Sequence, residues 1–138
     1  QTGGQPLDKD PTFARRIAEI ETQLRTLEAF NMRAIDKFSR DGELGGKALG
    51  AEANIFKIRS TEIQQRLTEL KVEAIGYYAN PYLMAALKHG WNELNEPAVG
   101  TEYANGCMPA YLHFRKVSIY SGSNEIQHTI IAKAQLGM

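Results

Sequence analysis

Apolar residues return every three or four positions through Phe13, Ile17, Ile20, Leu24, Leu27, Ile35 and Phe38, the period of one buried helix face. Arg15, Arg16, Glu19, Glu21, Arg25 and Glu28 fall largely on the opposite side. Asp10-Pro11 supplies the start: a capping carboxylate followed by proline at the first helical position. The pattern predicts a helix from there to about Ser39, ended by Asp41-Gly42, with residues 1–9 as a flexible lead-in. After a short glycine-rich loop, a second long helix is predicted from about Ala48. Its apolar positions are Ala51, Ile55, Ile58, Ile63, Leu67, Leu70 and Ala74, and Gly76 is its C-terminal stop. Two antiparallel helices of this length call for at least one more to cover their shared face.

Residues 77–109 are less regular. Tyr77, Tyr78, Tyr82, Trp91 and Tyr103 stand among Asn, Gly and Pro, with a short helix predicted at Pro81 to Lys88. Such aromatics either pack as a cap over a core, the commoner outcome, or line a ligand. A third helix is predicted from Pro109 to about Ser118. A fourth starts at Ser123 or Asn124 and ends at Gly137, with Ile126, Ile130 and Ala134 on one face. No alternating strand pattern persists, so the expected class is all-α, an up-and-down helical bundle forming a single domain over residues 1–138.

Composition narrows the function classes. Sixteen basic residues balance sixteen acidic ones, which leaves no basic excess for a nucleic-acid footprint. No apolar run approaches the ~20 residues of a membrane span. Cys107 is the single cysteine, so no internal disulfide forms and a reducing compartment fits. Its sequence neighbourhood holds no histidine to activate it as a nucleophile. Glu125-Ile126-Gln127-His128 matches half of a di-iron helix motif, but no second copy exists, and His89, His113 and His128 lack zinc-ligand spacing.

The chemistry concentrates in Ile119-Tyr120-Ser121-Gly122-Ser123-Asn124-Glu125-Ile126-Gln127, an aromatic, a small residue, a glycine and a hydroxyl placed ahead of an amphipathic helix. Such a turn delivers backbone N–H groups and a helix N-terminus to one spot, which suits a polar or anionic ligand. Ser123 is equally a natural N-cap, and capping alone would explain the Ser-Asn-Glu run. Capping does not ask for the aromatic and the glycine, and Gly122 permits backbone contact that a side chain would block.

This stretch resembles the Tyr-Glu-Gly-Thr/Ser-x-Glu/Gln-Ile-Gln signature of the acyl-CoA dehydrogenases, flavoproteins that desaturate acyl thioesters. Asp10-Pro11, the run Glu62-Ile63-Gln64-Gln65-Arg66-Leu67-Thr68-Glu69-Leu70 and the ending Ile130-Ile131-Ala132-Lys133 to Leu136-Gly137 resemble family features in the same order. The resemblance implies the C-terminal helical domain of such a protein, with the bundle's first helix lying upstream of Gln1. It implies FAD as cofactor, acyl-CoA as substrate, and self-association or a heteromeric dehydrogenase subunit as partner. The location it implies is cytoplasmic, or the mitochondrial matrix in a eukaryote. Carried across, Ser123 and Glu125 match cofactor-contacting positions, and Tyr120 and Gly122 lie beside the flavin. Gly76 alone survives from a glycine-rich segment that meets the adenine end of FAD from a neighbouring subunit.

One departure stands out. Ser121 occupies the position where the family often carries its catalytic glutamate. Two explanations follow: a carboxylate supplied by a neighbouring bundle helix, as in some branches, or a non-catalytic subunit of a heteromeric dehydrogenase. Retention of Tyr120, Gly122 and Ser123 favours the first. From another class, a cofactor-free helical interaction module would pack the turn away instead of leaving it open.

Overall fold

The computed structural model describes residues 4, 6–41, 50–84, 88 and 99–137. Four α-helices appear there: α1 (Pro11–Asp41), α2 (Gly50–Ile75), α3 (Cys107–His113) and α4 (Asn124–Leu136). Among the described residues there is no strand, so the fold is all-helical, as the periodicity predicts.

The helix ends follow from local chemistry. Asp10 Oδ1 accepts from the N–H groups of Thr12 at 2.8 Å and Phe13 at 3.0 Å, satisfying two donors that have no partner within the helix. α2 stops because Gly76 takes a left-handed conformation (φ 64°), and the chain continues as a 3-10 turn, Gly76–Ala79. The third predicted helix begins earlier and is shorter: α3 ends at His113, and Phe114–Ser118 tightens into 3-10 geometry. Of the helix predicted at Pro81 to Lys88, residues 81–83 are not helical, and most of the remainder lies outside the described residues, as does Trp91.

The described chain forms two compact units, Gln1–Ile17 with Gln64–Lys116 and Ala18–Ile63 with Val117–Met138. In the first, Arg16 at the start of α1 grips Glu73 near the end of α2 through both guanidinium NH2 groups, one at 2.8 Å. This pairing, led by the hydrogen bond from Arg16, holds the Glu73 carboxyl below the usual carboxylate range. The Gln65 side chain donates to the carbonyls of Phe114 (3.4 Å) and Arg115 (3.1 Å), and Arg115 Nη2 returns a bond to the Gln65 carbonyl at 3.0 Å. The Arg115 guanidinium also lies 4.6 Å from the centre of the Tyr111 ring. Leu70, Ala79, Ala104 and Pro109 are buried here.

In the second unit Leu27, Ala51, Ile58, Ile63 and Val117 are buried. Lys37 pairs with Glu52 at 3.3 Å, close to where α1 ends and α2 begins. Thr22, Thr26, Leu27 and Phe30 face Ile55, Arg59 and Ile63 across a cleft of about 400 Å³.

Burial departs from the sequence expectation along both long helices. Ile17, Leu24 and Ile35 of the α1 stripe are 41–52% exposed, and among its described side chains Leu27 is buried while Phe13 and Ile20 are half-buried. On α2, Leu67 is 45% exposed. Tyr77, Tyr78, Tyr82 and Tyr103 are exposed as well, Tyr78 and Tyr82 by about half. Periodicity identifies the apolar side of a helix; it does not supply the element that covers it.

Asp10→Ala removes both capping bonds and should lower stability by about 1 kcal/mol, whereas Asp10→Asn should retain most of it. Denaturant unfolding followed by circular dichroism measures the difference.

Candidate functional site

The turn between Phe114–Ser118 and α4 is built by two adjacent left-handed residues. Ser121 has φ 55° and Gly122 has φ 82°. The second is natural for glycine; the first is uncommon for a residue with a side chain and marks a backbone held by its surroundings. Ile119, Tyr120 and Ser121 are exposed, Tyr120 at 50%, while Gly122 and Ser123 are half-buried. The turn therefore faces outward and is not packed beneath neighbouring residues.

Ser123 caps α4: its hydroxyl accepts from the Ile126 N–H at 3.4 Å, and its extended backbone is the usual one for that position. Glu125 sits in the first turn. Its carboxyl is held below the ordinary carboxylate range, first by its own backbone N–H, then by Ser123, with smaller help from the charges of Lys57 and His128. A negative group at a helix N-terminus is also favoured by the helix dipole. At the other end Gly137, left-handed, donates to the Lys133 carbonyl at 3.1 Å.

Two residues of α2 anchor this turn. Lys57 Nζ donates to the Ser118 carbonyl at 3.2 Å and to Asn124 Oδ1 at 2.7 Å. Thr61, one helical turn further on, exchanges hydrogen bonds with the Asn124 side chain at 3.3–3.4 Å. A third anchor comes from α4 itself: buried Gln127 directs Nε2 at the carbonyls of Ser121 (3.3 Å) and Gly122 (3.5 Å). Sequence reasoning missed all three. Lys57 and Thr61 share a helix face at a spacing of four, a signal that is present in the sequence but indistinguishable from a solvated pair.

The predicted site residues Tyr120, Ser121, Gly122, Ser123 and Glu125 thus form one contiguous surface in the second unit. Gly76 belongs to the first unit, where it lines a cleft of about 330 Å³ with Val72, Glu73, Tyr77 and Asn80. The apolar face formed by Ile126, Ile130 and Ala134 of α4 is exposed, the two isoleucines at 55% and 42%, whereas Gln127 is buried and Ile131 and Ala132 are half-buried. The Cys107 thiol is pushed up by burial and donates to the Tyr103 carbonyl at 3.3 Å, which suits a structural thiol better than a nucleophile. Among the described residues no three His, Cys, Asp or Glu side chains gather as a metal site, and no helix is long and apolar enough to cross a membrane.

Compared with known proteins, residues 1–136 match the family model described as acyl-CoA dehydrogenase, C-terminal domain. No curated protein and no solved structure matches the chain.

Two measurements check the anchoring of the turn. Lys57→Met leaves the Asn124 and Ser118 acceptors without their cation and should destabilise the chain by about 1–2 kcal/mol in denaturant unfolding. Glu125 has a lowered folded-state pKa, so its contribution is present above the ordinary carboxylate range and lost as pH falls through the lowered value. An acid titration of helical circular dichroism should therefore show a loss that Glu125→Gln reduces.

Proposed function

Because the chain belongs to the acyl-CoA dehydrogenases, as their C-terminal domain, we propose that it takes part in binding FAD and positioning an acyl-CoA thioester for α,β-desaturation. The observation that carries this reading is the outward-facing, left-handed Ser121–Gly122 pair, held between a half-exposed tyrosine and a capped helix start.

The residues present fit the cofactor in chemical kind. Tyr120 offers an aromatic surface, the left-handed pair leaves its backbone accessible, and Ser123 adds a hydroxyl beside the N-terminus of a 13-residue helix. Tyr120, Gly122, Ser123 and Glu125 would hold FAD here, and Gly76, beside its open cleft, would meet the adenine end from a neighbouring subunit. When bound, FAD supplies the acceptor for the hydride leaving the β-carbon.

The chain's own contribution is positional. Abstraction of a weakly acidic α-proton needs a carboxylate base and hydrogen bonds on the thioester oxygen. Ser121 retains a backbone N–H as one such donor. Its hydroxyl is a poor proton acceptor near neutral pH, and no carboxylate lies at this position. The base in this reading is a carboxylate from a neighbouring bundle helix.

A second reading, a non-catalytic subunit of a heteromeric dehydrogenase, is favoured by the same serine. Either reading gives the exposed Leu24, Met32 and Ile35 side chains of α1 a role in self-association or subunit contact. The single cysteine accords with a reducing location, in the cytoplasm or the mitochondrial matrix of a eukaryote.

The test is a flavin titration of the chain, and of any longer protein that carries it, followed by addition of acyl-CoAs. Saturable FAD binding with bleaching of the flavin by substrate supports the dehydrogenase; no binding in either protein overturns it. In the active protein Ser121→Ala should change turnover by no more than a few-fold. A loss of roughly 10²–10⁴-fold, typical of a removed general base, would instead place the base at this residue.

A further inference from the structure

We propose that Gln127 is the positioning residue of the Ser121–Gly122 turn, its buried side-chain amide holding both carbonyls inward and so fixing where the turn's backbone donors point. The first support is an inversion of ordinary burial. Gln127 is 8% exposed while its neighbours on α4, Ile126 and Ile130, are 55% and 42% exposed. Among the described residues of this helix a polar amide is buried and the isoleucines are not, the reverse of what hydrophobic burial favours.

The second support is geometry. Nε2 of Gln127 reaches the Ser121 carbonyl at 3.3 Å and the Gly122 carbonyl at 3.5 Å, spanning both left-handed residues with one amide group. The turn and the side chain also approach so closely that a Cβ on Gly122 would lie 2.5 Å from that nitrogen. Glycine at 122 is favoured by its φ of 82°, and a side chain there would push the amide of Gln127 aside.

The third step is covalent. In a trans peptide the N–H of one residue points opposite to the carbonyl of the residue before it. With the Ser121 and Gly122 carbonyls drawn toward Gln127, the N–H groups of Gly122 and Ser123 are directed away from it. Gln127 touches no ligand in this account; it acts through the backbone. Its consequence for a cofactor rests on the flavin reading above, whereas its effect on the turn does not.

The experiment compares the 138-residue chain with Gln127→Leu by NMR ¹⁵N relaxation, which reads the order of each backbone amide. Loss of both hydrogen bonds should lower the order parameters at Ser121 to Ser123 from the rigid range of about 0.85 toward about 0.6 or less, with little change from Ile130 to Leu136. Unchanged order at the turn overturns the proposal. If Gln127→Leu fails to fold, Gln127→Met, which keeps the unbranched side chain and removes the amide donor, gives the same readout with the same two outcomes.

Flavin titration of the same proteins separates this proposal from the function it serves. Looser turn amides with unchanged FAD affinity uphold the positioning role and count against flavin binding at the turn. Rigid turn amides with intact FAD binding overturn the positioning role and leave the flavin reading standing.

Discussion

A hydrogen-bonded cation ties down both ends of the turn on which the candidate site depends. Lys57 Nζ, half-buried on α2, bonds the carbonyl that ends the Phe114–Ser118 segment and the side chain of the first residue of α4. Between those two anchors the chain has only five residues, 119–123, in which to reverse direction. Fixing both ends of so short a connection restricts the backbone strongly, which is how a residue with a side chain comes to occupy the left-handed region at Ser121.

The structure uses polar contacts where sequence patterning predicts apolar ones. Lys57, Thr61 and Gln127 hold the turn, while Ile126 and Ile130 remain exposed. Charge-assisted and buried amide bonds are directional, so they specify the shape of a turn in a way that nondirectional apolar contact does not. The isoleucines and the α1 residues Ile17, Leu24 and Ile35 are then left as apolar surface.

In the dehydrogenase reading proposed above, Ser121 separates two properties that the family resemblance places together. The residue offers a backbone donor in a left-handed, outward-facing turn, but no carboxylate for proton abstraction. Donor geometry belongs to the backbone and survives a change of side chain; basicity belongs to the side chain and does not. On that reading the turn keeps its donor geometry while the base comes from elsewhere.

The boundaries of α1, α2 and α4 were legible because each is written locally. Asp10 caps, Gly76 stops, Ser123 caps again and Gly137 closes, each acting within a few residues of its own position. The resemblance at Tyr120 to Gln127 was legible for the same reason, as one contiguous run. Burial was not. Whether Ile17, Leu24, Ile126 or Gln127 is covered depends on elements distant in sequence, and helical spacing describes a face without naming its neighbour. The partnership of Lys57 with Asn124 across 67 positions lies beyond any local rule. Sequence alone thus determined the helices and the place of the turn, because those arise from short-range backbone chemistry. Only the tertiary structure decided which polar side chains hold that turn, because such contacts exist only once the chain has folded back on itself.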